Sequence, residues 1–146
     1  TKSYKPGRFS EIIAAAGVRG VRLENDEDRV IGMICVSRED SDLLVVSKNG
    51  FGKRSSINDY RITKRGGKGV TTLKITEKTG NLVAIKEVKT NDELMIINKS
   101  GITIRTSITD ENIRVMGRAT QGVKLIKLSE KDEISSVAKI ENIEEE

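Results

Sequence analysis

Histidine and tryptophan are absent from this chain, cysteine occurs once, and phenylalanine and tyrosine occur twice each. Losing histidine removes the side chain most used for proton transfer near neutral pH, and the commonest nitrogen ligand of metals. The lone thiol, Cys35, lies in the apolar stretch GMICVS. It has no partner for an internal disulfide and no histidine to act as its base, so the sequence predicts a buried, inert side chain. Carboxylates are scattered singly or gathered in clusters such as Asn25 to Asp28, which reads as a solvated turn rather than a cation site. No nucleophile, acid/base pair or metal set stands out. The expectation is a non-catalytic chain with no metal and no cofactor of its own.

Long apolar runs are missing as well. Nothing approaches the roughly 18–20 residues of a membrane span, and Thr1-Lys2-Ser3-Tyr4-Lys5 carries no apolar stretch of the signal-peptide kind. The reading is a cytoplasmic protein without membrane contact. Aromatics at 3% leave little surface for stacking on nucleobases, which argues against single-strand recognition.

What the chain does have is charge, turn residues and β-rich alternation. Its 146 residues suffice for one globular domain with a real core, but not comfortably for two. The net charge of +4 hides an asymmetry. From Ser129 to Glu146 there are seven carboxylates against Lys131 and Lys139, which leaves 24 basic and 15 acidic residues in the first 128. A basic body with an acidic tail suggests a polyanionic partner and a tail able to compete for the same surface. A tail that only aids solubility is the other reading.

An internal repeat organises the chain. Asp42–Val88 and Glu93–Ile140 share one order of elements: an apolar run (Leu43 to Val46, Leu94 to Ile97), then a turn (Lys48-Asn49-Gly50, Lys99-Ser100-Gly101). A second strand with a basic end follows (FGKRSS, ITIRTS), then a loop of about a dozen residues. Each copy resumes at Gly69-Val70 or Gly122-Val123 with VTTLKI or VKLIKL, and closes with LVAIKEV or ISSVAKI. Asn-Gly between β-rich runs signals a hairpin, because glycine accepts the positive φ of tight turns. Four strands at a period near 50 predict an all-β fold of propeller-like blades of four antiparallel strands.

A partial copy precedes these two. Gly20-Val21 matches Gly69-Val70, and Val30 to Val36 matches Leu82 to Val88. Gly7-Arg8-Phe9 reads as a remnant of its second strand, and Ser10 to Ala16 as a short helix with Ser10 as N-cap. The divisions are thus 1–41 (partial blade), 42–90 and 91–140 (blades) and 141–146 (acidic tail). Two and a half blades form a partial ring, and exposed blade edges predict self-association.

The densest cationic stretch is KRGGKGV, Lys64 to Val70. It is no nucleotide loop: Lys68 is followed by Gly69 rather than Ser or Thr, Ile62 stands where the first glycine of G-x-x-x-x-G-K belongs, and Thr72 ends any G-x-G-x-x-G. Glycines 66, 67 and 69 remove side chains so that backbone amides, with Lys64, Arg65 and Lys68, can approach phosphates. Lys53, Arg54 and Arg61 would extend that strip. The matching loop of the next copy, IRVMGRATQGV, carries Arg114, Arg118 and Gln121, and the partial copy offers Arg19 and Arg22. Cationic loops recurring once per blade would line one edge as a path for a bent polyanion. A solvated glycine-rich turn is the alternative for any one loop taken alone.

At these residues the sequence resembles the C-terminal domain of bacterial DNA gyrase A, whose hallmark is the box QRRGGKG. Thr63-Lys64-Arg65-Gly66-Gly67-Lys68-Gly69 lies on it with five identities, Lys64 replacing arginine and Thr63 replacing glutamine. The loop RVMGRATQGV is similar to the degenerate boxes of neighbouring blades, and the resemblance runs from Gly17 to Ile140. It implies a β-pinwheel whose blades exchange a strand with their neighbours and whose rim wraps duplex DNA. It also implies a parent complex with the rest of gyrase A and with gyrase B, an ATP-hydrolysing type II topoisomerase that introduces negative supercoils. ATP and Mg would bind on other domains, and neither Tyr4 nor Tyr60 matches the catalytic tyrosine. Two alternatives remain open: the corresponding C-terminal domain of topoisomerase IV, which usually has a degraded box, and a blade-repeat scaffold whose basic edge binds an acidic protein.

Overall fold

The computed structural model describes residues 17–36 and 40–140. Strand β1 (Asp42–Ser47) turns through Lys48-Asn49-Gly50 into β2 (Phe51–Ser56), and β3 (Leu82–Val88) returns along the other side of β1. Gly50 sits at φ +82°, a backbone state that a side chain would strain, and its N–H closes the turn on Ser47 O at 3.1 Å. The second copy repeats this arrangement with β4 (Glu93–Asn98), β5 (Thr103–Ser107) and β7 (Ile134–Ile140), β4 lying between the other two.

Strand β6 (Val123–Lys124) breaks the copy. By sequence it belongs to the second repeat, yet it pairs with β2 of the first, Phe51 opposite Lys124 and Gly52 opposite Val123. The sheets therefore read β3-β1-β2-β6 and β5-β4-β7. Glycine at position 52 permits this close pass, since a Cβ there would stand 2.7 Å from Val45 O and 2.5 Å from Leu125 Cδ1.

Burial follows from position in the sheets. β1 runs Leu43 to Val46 without a polar residue, and all four are buried, as a central strand covered on both faces requires. β4 instead buries Leu94 and Ile96 in alternation, the pattern of a strand with one covered face. Leu44, Val46 and Val88 of the first sheet and Leu94, Ile96, Ile134 and Val137 of the second share a single core, completed by Ile108, Ile113 and Ile126 from the connecting segments. Each such side chain contributes roughly 1.5–3 kcal/mol on burial, so the two repeats stabilise each other through apolar contact.

Polar ties reinforce the joint at both ends. At one, Glu133 bridges the repeats, its carboxylate 3.3 Å from Lys48 Nζ and 2.7 Å from Lys99 Nζ. The hydrogen bond from Lys99, and then that from Lys48, hold the Glu133 carboxyl below the ordinary glutamate range. Because this group titrates lower folded than unfolded, its contribution is full above the ordinary value and fades as pH falls through the depressed one. The stability difference between wild type and Glu133→Gln, measured by urea unfolding, should therefore narrow as pH falls below the ordinary glutamate range. A difference that stayed constant would show that the bridge carries no charge-dependent stability.

Three expectations are corrected. Val70–Ile75 forms no strand among the described residues. β6 forms because β2 of the preceding repeat pairs with it, and no such partner for Val70–Ile75 lies among the described residues. Val30–Val36 likewise has no ladder, and Val30, Ile31, Met33 and Val36 are exposed. Cys35 is exposed rather than buried, because no paired strand covers its apolar neighbours. The expected helix at Ser10–Ala16, the Gly7-Arg8-Phe9 remnant and the tail 141–146 lie outside the described residues. Asn25 to Asp28 is a turn, in which Asn25 Oδ1 accepts the N–H groups of Glu27 and Asp28 at 2.9 and 3.0 Å.

Candidate nucleic-acid interface

Behind β2 the chain makes a short 3₁₀ turn, Ile57–Asp59, and enters the glycine-rich loop. Thr63, Lys64, Arg65, Lys68 and Gly69 are exposed, as is Arg61. Gly66 and Gly69 take φ of +74° and +79°, so the loop folds back on itself twice in four residues, a path that β-branched or bulky residues would strain. The partial copy packs against it through a parallel bridge between Val21 and Gly67. Gly66 N–H donates to Gly20 O at 2.8 Å, and Arg22 N–H to Gly67 O at 3.0 Å. Arg19 and Arg22, both exposed, thus stand beside the first loop.

The loop of the second repeat lies on the other side. Arg114 and Gln121 are exposed and Arg118 is partly so. Lys74 N–H donates to Thr120 O at 3.0 Å, and Gly69, Val70 and Thr71 share a groove with Gly117, Arg118 and Ala119. The three cationic loops are therefore contiguous, in the order 17–22, 64–69, 117–121. Among the described residues, none of Arg19, Arg22, Arg61, Lys64, Arg65, Lys68 and Arg114 lies within ion-pair distance of a carboxylate. Their charge is unspent within the fold.

Lys53 and Arg54 do not join this strip, contrary to expectation, for both are buried at 0% and 1% exposure. Lys53 Nζ donates to the carbonyls of Gly117 and Arg118, and burial pushes its pKa below the ordinary lysine value. Arg54 spans the joint between repeats: its guanidinium pairs with Asp110 and donates to Thr90 Oγ1 at 3.2 Å. Its Nε lies 3.2 Å from Asp42 Oδ2, without the alignment of a hydrogen bond. A buried cation with several fixed protein partners is architecture, not a surface for an external anion. The sequence excludes Tyr60 as a catalytic tyrosine but gives no sign of its contact with Arg118, whose guanidinium carbon lies 5.9 Å from its ring centroid.

Antiparallel blades in tandem, one strand passed between neighbours and one cationic loop per repeat, define a blade-repeat module of the propeller class. The chain belongs to the family described as DNA gyrase C-terminal domain, beta-propeller, which matches residues 13–37, 41–89 and 92–141. The DNA gyrase A protein of Ureaplasma parvum is 53% identical over 124 residues, covering 85% of this chain and 14% of that protein. The DNA gyrase A protein of Staphylococcus aureus is 43% identical over 134 residues, covering 90% and 15%. The chain thus spans about a seventh of the length of the curated relatives it matches. A solved DNA gyrase A C-terminal domain superposes with a TM-score of 0.64 at 31% identity, over 70% of this chain and 34% of that one. A DNA topoisomerase IV C-terminal domain gives 0.76 at 19% identity, over 86% and 38%, a likeness of fold alone.

Proposed function

We propose that this chain is a non-catalytic module that binds duplex DNA along its contiguous cationic loops and bends it around the blade edge. The observation that carries this reading is the placement of Lys64, Arg65 and Lys68 between Arg19 and Arg22 on one side and Arg114 and Arg118 on the other, with none of the first six paired to a carboxylate. Bending a short duplex strongly costs on the order of 1–6 kcal/mol, which several phosphate contacts must offset. Such contacts release counterions, so affinity should fall steeply with salt and vary little with sequence.

The family membership extends the proposal to the parent protein. In a complex with the remainder of gyrase A and with gyrase B, in the cytoplasm, the bent segment would be presented so that ATP-driven strand passage introduces negative supercoils. Nucleotide and Mg would bind on those other domains. Gyrase A relatives at 53% and 43% identity favour gyrase over topoisomerase IV, since the latter's likeness is in fold.

The test is titration of a fluorescent random-sequence duplex across a salt series, with energy transfer between its ends reporting bending. Salt-sensitive binding with the ends drawn together is expected. Absence of binding at low salt would overturn the reading in favour of a scaffold for an acidic protein.

A further inference from the structure

The second repeat's loop is the poorer in charge yet the better braced. Where the first loop has Lys64, Arg65, Gly66 and Lys68, the second has Gly117, Arg118, Ala119 and Gln121. Almost all of its bracing comes from the first repeat. Met116 N–H donates to Arg54 O at 2.7 Å, and Ser55 Oγ donates to Met116 O at 2.7 Å. Lys53 Nζ takes the next two carbonyls, of Gly117 and Arg118, and Lys74 N–H takes that of Thr120. With these carbonyls engaged, the N–H groups of Gly117, Arg118 and Ala119 find no acceptor among the described residues. The same three residues line the groove opposite Gly69, Val70 and Thr71. The guanidinium carbon of Arg118, a residue that lines the groove, lies 5.9 Å from the ring centroid of Tyr60, whose hydroxyl is hydrogen-bonded to that of Thr72.

We propose that the groove between the two loops is a seat for one backbone phosphate, made by Arg118 and the 117–119 amides, and that Lys53 and Tyr60 are the positioning residues that shape it. This rests on the duplex-binding reading above. Lys53 turns the loop's carbonyls away from an incoming anion and leaves its amides as donors. Tyr60 confines a long side chain that would otherwise lose rotamer freedom on binding, so less affinity is spent on ordering it. The loop thus replaces density of charge with preorganisation. Asp59 also lines the groove and opposes an anion there, so it tempers the seat.

The test uses the whole chain and the fluorescent duplex. Arg118→Ala should weaken binding about threefold to tenfold and reduce the salt slope by about one, the signature of one lost phosphate contact. Tyr60→Leu should weaken it about threefold in the wild-type background and not at all in the Arg118→Ala background. Tyr60→Phe, which keeps the ring, should stay within about twofold of wild type. Asp59→Asn should tighten binding. Independent losses in the Tyr60→Leu/Arg118→Ala double variant, or a Tyr60→Phe as weak as Tyr60→Leu, would overturn the positioning role. Hydrogen exchange on the DNA-free protein supplies the second readout: Lys53→Met and Tyr60→Leu should speed exchange at Met116, Thr120 and Lys74, whose N–H groups donate to Arg54 O, Arg118 O and Thr120 O, and unchanged protection at all three would sink the brace. If wild type failed to bind duplex at all, the DNA reading would fall and the seat with it, while the exchange measurement would still decide whether these residues brace the loop.

Discussion

Arg54→Met is expected to lower the unfolding free energy by about 3 kcal/mol, seen as a reduced urea midpoint with little change in slope. The methionine can fill much of the space, so the loss measures charge and hydrogen bonding more than volume. Without the guanidinium, Asp42 keeps a partly buried carboxylate whose pKa burial already raises against the pull of Arg54. Protonation would relieve that carboxylate, so the deficit should shrink in acid. The internal control is Arg105→Met. Arg105 occupies the same place in the second repeat and pairs with Glu93, its Nε 2.7 Å from Oε2, yet its side chain is 62% exposed. A solvated pair of this kind contributes at most about 1 kcal/mol. Equal losses at the two positions would refute the view that burial between repeats gives Arg54 its weight.

The triple variant Lys64→Ala/Arg65→Ala/Lys68→Ala is expected to weaken duplex binding by about 100-fold at moderate salt and to lower the salt slope by about three. Stability should hold within about 0.5 kcal/mol, because these side chains are exposed and make no ion pair in the fold. In the gyrase complex proposed above for the parent protein, the same changes are expected to lower negative supercoiling and to spare relaxation and cleavage. An unchanged salt slope would mean that the glycine-rich loop is not where the backbone is gripped.

The repeat is legible in the sequence because its punctuation is chemical: Gly50 and Gly101 recur at turns with φ of +82° and +87°, and Gly69 and Gly122 recur at +79° and +75°. Exposure of Lys64, Arg65 and Lys68 is legible for the same reason, since a loop of glycines and cations has nothing to bury. Lys53 and Arg54 mislead because a cation at a strand end looks alike in sequence whether it meets solvent or carbonyls. One signal does exist: adjacent residues of a strand point to opposite faces, so the two could not both face one strip. Cys35 misleads because apolar neighbours imply burial only when a partner strand is present to cover them. The Arg118–Tyr60 contact joins residues 58 apart in sequence and across two repeats, where no local pattern points to it.

The passage of β6 into the first sheet also sets an order of events. Gly52 waits for Val123, about 70 residues downstream, before its outer edge is paired. As the chain leaves the ribosome, the hairpin β1–β2 can form at once, but its sheet cannot be finished until nearly the whole second repeat has been synthesised. Contacts of such long range slow folding and leave a bare edge open to mispairing meanwhile. A nascent chain arrested before Val123 should therefore be more prone to proteolysis and to chaperone capture than one released after Ile140, although both contain every residue of β1, β2 and β3.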